Sequence, residues 1–163
     1  MSKWKISLII LLVAGKSFGQ VEIPKLDVKV KKHGPTFGVQ RGLYTTFELG
    51  LEKQWKNIQL KTANTHAIRT AFNYDFINNI ICYDLGLWTK PSRLGLTYGV
   101  NGIMYTNFDK IRSGFAPVIG YKLSAFHVQT GINLLSKSKE FTNVNSFFIS
   151  LRFSLLTHRD VKF

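Results

Sequence analysis

The stretch "TFELGLEKQ", residues 46 to 54, alternates without a slip. Phe47, Leu49 and Leu51 fall on one face of an extended chain, and Thr46, Glu48, Gly50, Glu52 and Gln54 fall on the other. Carboxylates along one face of a strand and bulky hydrophobes along the opposite face limit the choice of fold. In a solvated sheet the apolar face is the core. In a barrel that crosses a membrane the two faces exchange roles.

The same period of two continues through most of the chain and predicts eight strands: 36–41, 43–55, 66–74, 80–90, 93–106, 114–123, 125–135 and 144–155. The breaks between them carry turn chemistry, as in "DFINN", "KPSR", "NFDKIRS" and "SKSKEFTN". Residues 36 to 55 also fit one long bent strand, which would leave seven. Single-chain bacterial barrels have even strand counts, and this favours eight. "KNIQLKTANT" reads as a long connection on the side of the termini.

The two faces differ in kind. One carries Phe47, Leu49, Phe72, Leu85, Val100, Ile119, Val128 and Leu151. The other carries Glu48, Glu52, Arg69, Asp84, Lys122, His127 and Arg152. Of the 13 glycines, Gly38, Gly42, Gly50, Gly86, Gly95, Gly99, Gly120 and Gly131 also fall on the polar face. Glycine weakens a strand and marks a close approach. A narrow closed barrel requires it, because eight strands leave an interior only wide enough for side chains. Large charged groups must then alternate with glycine. Tyr44, Trp55, Tyr74, Tyr105, Phe108 and Phe126 lie near strand ends, where an aromatic girdle belongs.

The expected fold is therefore all-β: a closed antiparallel up-and-down transmembrane barrel of eight strands, residues 36–156. A basic lead-in, residues 20–35, would precede it, and a polar tail, 157–163, would follow. A soluble sandwich or lipocalin-like barrel is the alternative. Glycines on the polar face and strands long enough for a tilted bilayer crossing weigh against it. Glu48, Glu52, Arg69, Asp84, Lys122, His127 and Arg152 would form a polar network plugging the lumen, since an unpaired charge there would be expensive.

The N-terminus supports export. "MSKWKISLIILLVAGKSFGQ" has Lys3 and Lys5 ahead of a short apolar run, and small residues before a cut after Gly19. This is the pattern of a signal peptide, residues 1–19, and the run is too short to span a bilayer as a helix. The chain has 22 Lys+Arg against 9 Asp+Glu; without Lys3, Lys5 and Lys16 the balance is 19 to 9, or +10. Such a surface suits an anionic partner, and export argues against nucleic acid. Cys82 is the lone cysteine, so no internal disulfide is available.

The segments "FGVQRGLYTTFELGLEKQWK", "LGLTYGVN", "IGYKLSAFHVQTGIN" and "FFISLRFSLL" give the chain its resemblance. It resembles the small outer-membrane β-barrel proteins of Gram-negative bacteria, in particular the Lys- and Asn-rich exported barrels of Bacteroidota. The resemblance covers residues 36 to 156. It implies an outer-membrane location, insertion by the barrel-assembly machinery, and contact with outer-membrane lipid, including lipopolysaccharide phosphates. "THRDVKF" is too polar for a final membrane strand, which places the insertion signal in Phe147 to Leu155.

No GxSxG, HExxH, P-loop or GxGxxG motif occurs. His33, His66, His127 and His158 have no ligand spacing, so no metal, cofactor or catalytic residue is expected. His127 with Asp84 is the one acid–base pair an acyl-transfer site could use. Cys82 reads as an inward filler. The expected function is a monomeric, non-enzymatic barrel with a structural or surface-interaction role. The alternatives are a narrow channel or carrier of small apolar ligands, a lipid-modifying enzyme and a soluble periplasmic binding barrel.

Overall fold

The structure, a computed structural model, describes residues 27–59, 63–137 and 144–162. The expected signal peptide lies outside the described residues. One antiparallel sheet contains β1 (Asp27–Arg41), β2 (Thr45–Gln59), β3 (Ala63–Asp75), β4 (Ile80–Lys90), β5 (Leu96–Thr106), β6 (Ile111–Leu123), β7 (Phe126–Ile132), β8 (Leu134–Leu135), β9 (Phe147–Ser154) and β10 (Thr157–Lys162). β7 and β8 are one strand interrupted at Asn133, and both pair with β6. β9 and β10 are one strand interrupted at Leu155 and Leu156, and both pair with β1. β9 also pairs with β7, which closes the sheet. The fold is thus an eight-stranded antiparallel barrel in up-and-down order.

Register fixes its dimensions. Following paired residues from Arg112 on β6 leads through Tyr105, Cys82, Asn73, Glu48, Gly38, Arg152 and His127. The path returns to β6 at Lys122, ten residues further along (112 to 122). A stagger of ten over eight strands tilts the strands by about 40° and gives a backbone radius of about 8 Å. Side chains fill such an interior.

The strand boundaries depart from the expected ones mainly at the termini. β1 begins at Asp27 instead of Thr36 and stays paired with β2 out to Gln59. Most of the lead-in is therefore strand. "KKHGP" reads as a break in the sequence because it holds a glycine and a proline. In the fold both residues face a break in the neighbouring strand. The β1–β9 pairing ends at Thr36 with Ser154, and the β1–β10 pairing resumes at His33 with Thr157. Pro35 has no N–H to donate, and the gap at Leu155 and Leu156 does not demand one. Its carbonyl accepts from Leu155 N at 3.0 Å. A Cβ on Gly34 would collide with the Leu155 carbonyl.

The tail residues "THRDVK" likewise form β10 rather than leaving the sheet. The long connection expected at "KNIQLKTANT" disappears into β2 and β3, and only residues 60–62 between them lie outside the described residues. Gly42 to Tyr44 form the bend that separates β1 from β2, which settles the count at eight rather than seven.

The interior has two zones. At the end remote from the termini it holds an apolar cluster of Ile80, Cys82, Ile103, Tyr105, Ala116, Val118, Val144 and Phe148, beside buried Gln40, Thr46, Asp75, Asn133 and Asn145. Tyr105, expected in an outer girdle, belongs here, because it shares the inward parity of Asn101 and Ile103. Its hydroxyl accepts from Asn133 Nδ2 at 2.9 Å. From the middle of the barrel toward the termini the interior is polar.

Candidate functional site

Polarity is inverted across the wall. Leu51 is 61% exposed and Phe72 60%, whereas Arg69 and Arg152 are each 1% exposed. The outward residues form a continuous belt. On β9 it runs from Phe147 to Leu155, eight steps of about 3.3 Å tilted by about 40°, or about 20 Å along the barrel axis. Among the described residues, most outward positions within the belt are apolar, aromatic, Thr, Gly or Pro; the charged ones, Arg41 beside Ile149 and Lys53 beside Ile68, lie at its two margins. Two outward threonines satisfy their hydroxyls within the wall. Thr70 Oγ1 donates to Tyr83 Oη at 2.9 Å, and Thr130 Oγ1 donates to the Phe148 carbonyl at 2.9 Å. Arg41 ends β1 at the remote margin of the belt, and His33, paired with Lys53, and His66 mark the margin nearer the termini, with Lys31 beyond it.

Six of the seven residues expected in the lumenal network meet there as ion pairs. Arg69 on β3 lies between two acids from its neighbouring strands. Its Nη1 donates to Glu48 on β2 and its Nη2 to Asp84 on β4, at 2.6 Å to Oδ2. Asn73 Nδ2 donates to the same Asp84 oxygen at 3.2 Å. Arg152 on β9 reaches Glu48 from the other side, its Nε donating to Oε2 at 3.0 Å, and its Nη1 donates to Gln129. Glu48 therefore ties together two arginines whose strands are not neighbours.

A second group lies closer to the termini. Lys122 Nζ donates to Glu52 Oε1 at 3.1 Å and to Ser154 Oγ at 3.4 Å. Trp88 Nε1 donates to Glu52 Oε2 at 3.2 Å, and Gln54 Nε2 donates to Oε1. Lys122 Nζ also lies 5.1 Å from the centre of the Trp88 ring. Glu48, Glu52 and Asp84 thus face Arg69, Lys122 and Arg152, so the acids and bases of these ion pairs balance. That balance lets a narrow interior tolerate them.

Registered glycines make the room. Gly86 is the cross-strand partner of Arg69, and Gly38 is the partner of Arg152. A Cβ at Gly38 would lie 2.9 Å from the Leu151 carbonyl oxygen and 3.0 Å from Arg152 Cγ.

The seventh residue, His127, is buried among these groups but carries no acid partner. Its Nε2 lies 2.9 Å from Thr97 Oγ1, and its ring meets Trp88 edge-on at 5.0 Å between centroids. Asp84 is committed to Arg69 and Asn73. The His127–Asp84 hydrogen bond that a hydrolytic site would use is therefore not formed. Cys82 is buried in the apolar zone. The described residues hold no group of three or more His, Cys, Asp or Glu arranged for a metal.

Sequence reasoning did not place Trp88, Gln129, Thr97, Asn73 and Ser154 as contacts of particular charges. Parity identifies such inward residues, since Trp88 follows Asp84 and Gly86 at steps of two. Which partner each meets is set by the stagger of the barrel.

Comparison with known protein families, with curated proteins and with solved structures gives no match to this chain.

Proposed function

We propose that the chain is a small outer-membrane β-barrel of a Gram-negative bacterium, exported by its signal peptide and plugged by its own side chains. Its role is structural or one of surface interaction, without catalysis. The observation that carries this reading is the polarity of the wall: an apolar belt outside, with charged side chains only at its margins, and a charge-balanced network within. Burying hydrophobes stabilises a soluble barrel; here the large hydrophobes are on the outside. Water gives no gain for that arrangement, whereas a hydrocarbon phase does. A backbone closed into a barrel also satisfies the rule that no N–H or C=O remain open in lipid.

The plug favours this reading over a channel. The arginine–carboxylate network occupies the middle of the lumen, and the Phe148–Tyr105 cluster occupies the end remote from the termini. The polar rim near the termini would face the periplasm, and the remote turns would face the lipopolysaccharide leaflet. The test is envelope fractionation followed by electrophoresis with and without boiling. Recovery with the outer membrane and a heat-dependent mobility shift is the expected result. Recovery in the soluble periplasmic fraction would overturn the proposal.

A further inference from the structure

We propose that the inner wall at the termini end of the barrel is a binding site for a phosphate-bearing anion, held by Lys32, Lys56 and Lys90. The barrel rim is uneven. β1, β2 and β3 remain paired out to Asp27, Gln59 and Ala63, and β10 continues alongside β1. On the opposite wall the chain has already turned at Ser124 and Ala125. The tall side overhangs the short side by about 10 Å, given the strand rise and tilt. Its concave face continues the inner surface of the lumen.

That face is basic. Lys56 pairs with Thr65, and Thr65 pairs with Lys90, so the three form one inward row across β2, β3 and β4. Two strand spacings separate the lysine backbones, about 10 Å. Lys32 lies on β1 diagonally from Lys56, whose direct partner there is Val30. All three lysines are half-buried and share the parity of buried Val30, Gln54 and Thr65. Lys56 is within Coulombic range of both Lys32 and Lys90.

The contrast with the deeper lumen carries the inference. There Arg69, Lys122 and Arg152 each have a carboxylate. In the rim tier, among the described residues whose side chains are placed, no acid faces these three lysines. The nearest inward acid, Glu52, is taken by Lys122, Gln54 and Trp88. Like charges converging on one concave face repel, and a multivalent anion seated between them removes the repulsion. Thr65 and Gln54 line the same surface and can donate to phosphate oxygens. The inner wall is the same whether or not the outer belt meets lipid, so this site does not depend on the membrane reading.

The chemistry fits a free polyphosphate or a phospholipid headgroup. The test is calorimetric titration of the full mature chain, folded in a non-ionic detergent, with inorganic pyrophosphate in one arm and a short-chain phosphatidic acid in the other. The K32Q/K56Q/K90Q variant is compared with K31Q/K53Q/K110Q, which removes the same charge from outside the concave face. A β-sheet circular-dichroism spectrum and a thermal transition matching those of the unsubstituted chain certify that each variant is folded. Binding in either arm that weakens at least tenfold in the first variant and less than threefold in the second is expected, and the arm that binds identifies the source. No binding in either arm, or equal weakening in both variants, would overturn the site. If the first variant alone fails to fold, single substitutions K56Q and K90Q replace it under the same criterion.

Discussion

Single residues decide whether this interior can exist. Glu48 is shared by Arg69 and Arg152, and its replacement leaves two buried guanidinium groups facing one another. Glu48→Gln is expected to destabilise the barrel by about 3–5 kcal/mol, as for other buried pairs that lose one partner. Chemical unfolding in micelles measures this, and a loss below about 1 kcal/mol would mean that the two arginines do not depend on this carboxylate. Glycine substitutions offer a contrast of sign. Gly38→Ala presses a methyl group against the Leu151 carbonyl and the Arg152 side chain, a cost of about 1–3 kcal/mol. Gly102 faces outward, and a Cβ added there would lie 3.8 Å from the Leu85 carbonyl oxygen, an ordinary contact. Gly102→Ala should be neutral or stabilising by about 0.5–1 kcal/mol, through the loss of glycine's flexibility.

The membership of the charged network was readable at this scale. The period of two assigns Glu48, Glu52, Arg69, Asp84, Lys122, His127 and Arg152 to one face. The pairing was not readable. Arg152 meets Glu48 across β1, where the row between them is occupied by Gly38. Nothing in either strand's own pattern encodes that the intervening residue is the one without a side chain. His127 shows the same limit. Parity turns it inward, but the ten-residue stagger directs it to Thr97 and Trp88 rather than to Asp84.

At the scale of elements, each strand carries two independent messages. The outward message is continuous apolarity. Leu49→Lys or Leu151→Lys should cost about 2–4 kcal/mol in a bilayer if those positions lie near its midplane. Refolding yield into phosphatidylcholine vesicles, followed by urea titration, reads the effect; unchanged stability would place the belt in water. The inward message is room and charge, and it explains why the ends of the barrel were harder to read than its middle. In "VKVKKHGP" both parities carry lysine, so the alternation that marks a strand is masked. Gly34 and Pro35 resemble a turn until their partner, the break between β9 and β10, is known. Beyond the belt a strand need not be apolar on either face.

β10 provides a test of this division. A chain ending at Leu156 keeps the β1–β9 pairing from Thr36 to Arg41 and therefore keeps the closed barrel. It should still show the heat-dependent mobility shift. It loses the partner of β1 from Lys29 to His33. Trypsin should then cut at Lys29 and Lys31 at least tenfold faster than in the full chain. Loss of the mobility shift would mean that closure depends on β10.

At the scale of the whole molecule, the barrel is a closed wall around a filled centre. Two different materials fill it, ion pairs in the middle and an apolar cluster at the remote end, and either one interrupts a continuous water path. The protein reconstituted in planar bilayers should therefore show no steady conductance steps, and reproducible steps would contradict a plugged lumen. Sequence alone gave the closed barrel and its inverted faces because both are written in the period of two. It did not give the apolar end of the lumen. Ile80, Cys82, Ile103 and Phe148 are inward hydrophobes, and a hydrophobic residue on the polar face looks like noise until the register stacks several of them together.

The most direct measurement is the environment of the belt itself. A nitroxide label is attached at Leu49→Cys and at Leu151→Cys in vesicles, with buried Cys82 replaced by serine and Lys31→Cys as the reference. Relaxation by oxygen and by a water-soluble nickel chelate is then compared. A lipid-facing belt requires strong relaxation by oxygen and little by nickel at positions 49 and 151, with the reverse at position 31. Strong relaxation by nickel at 49 and 151 would put the apolar face in water and contradict the membrane barrel.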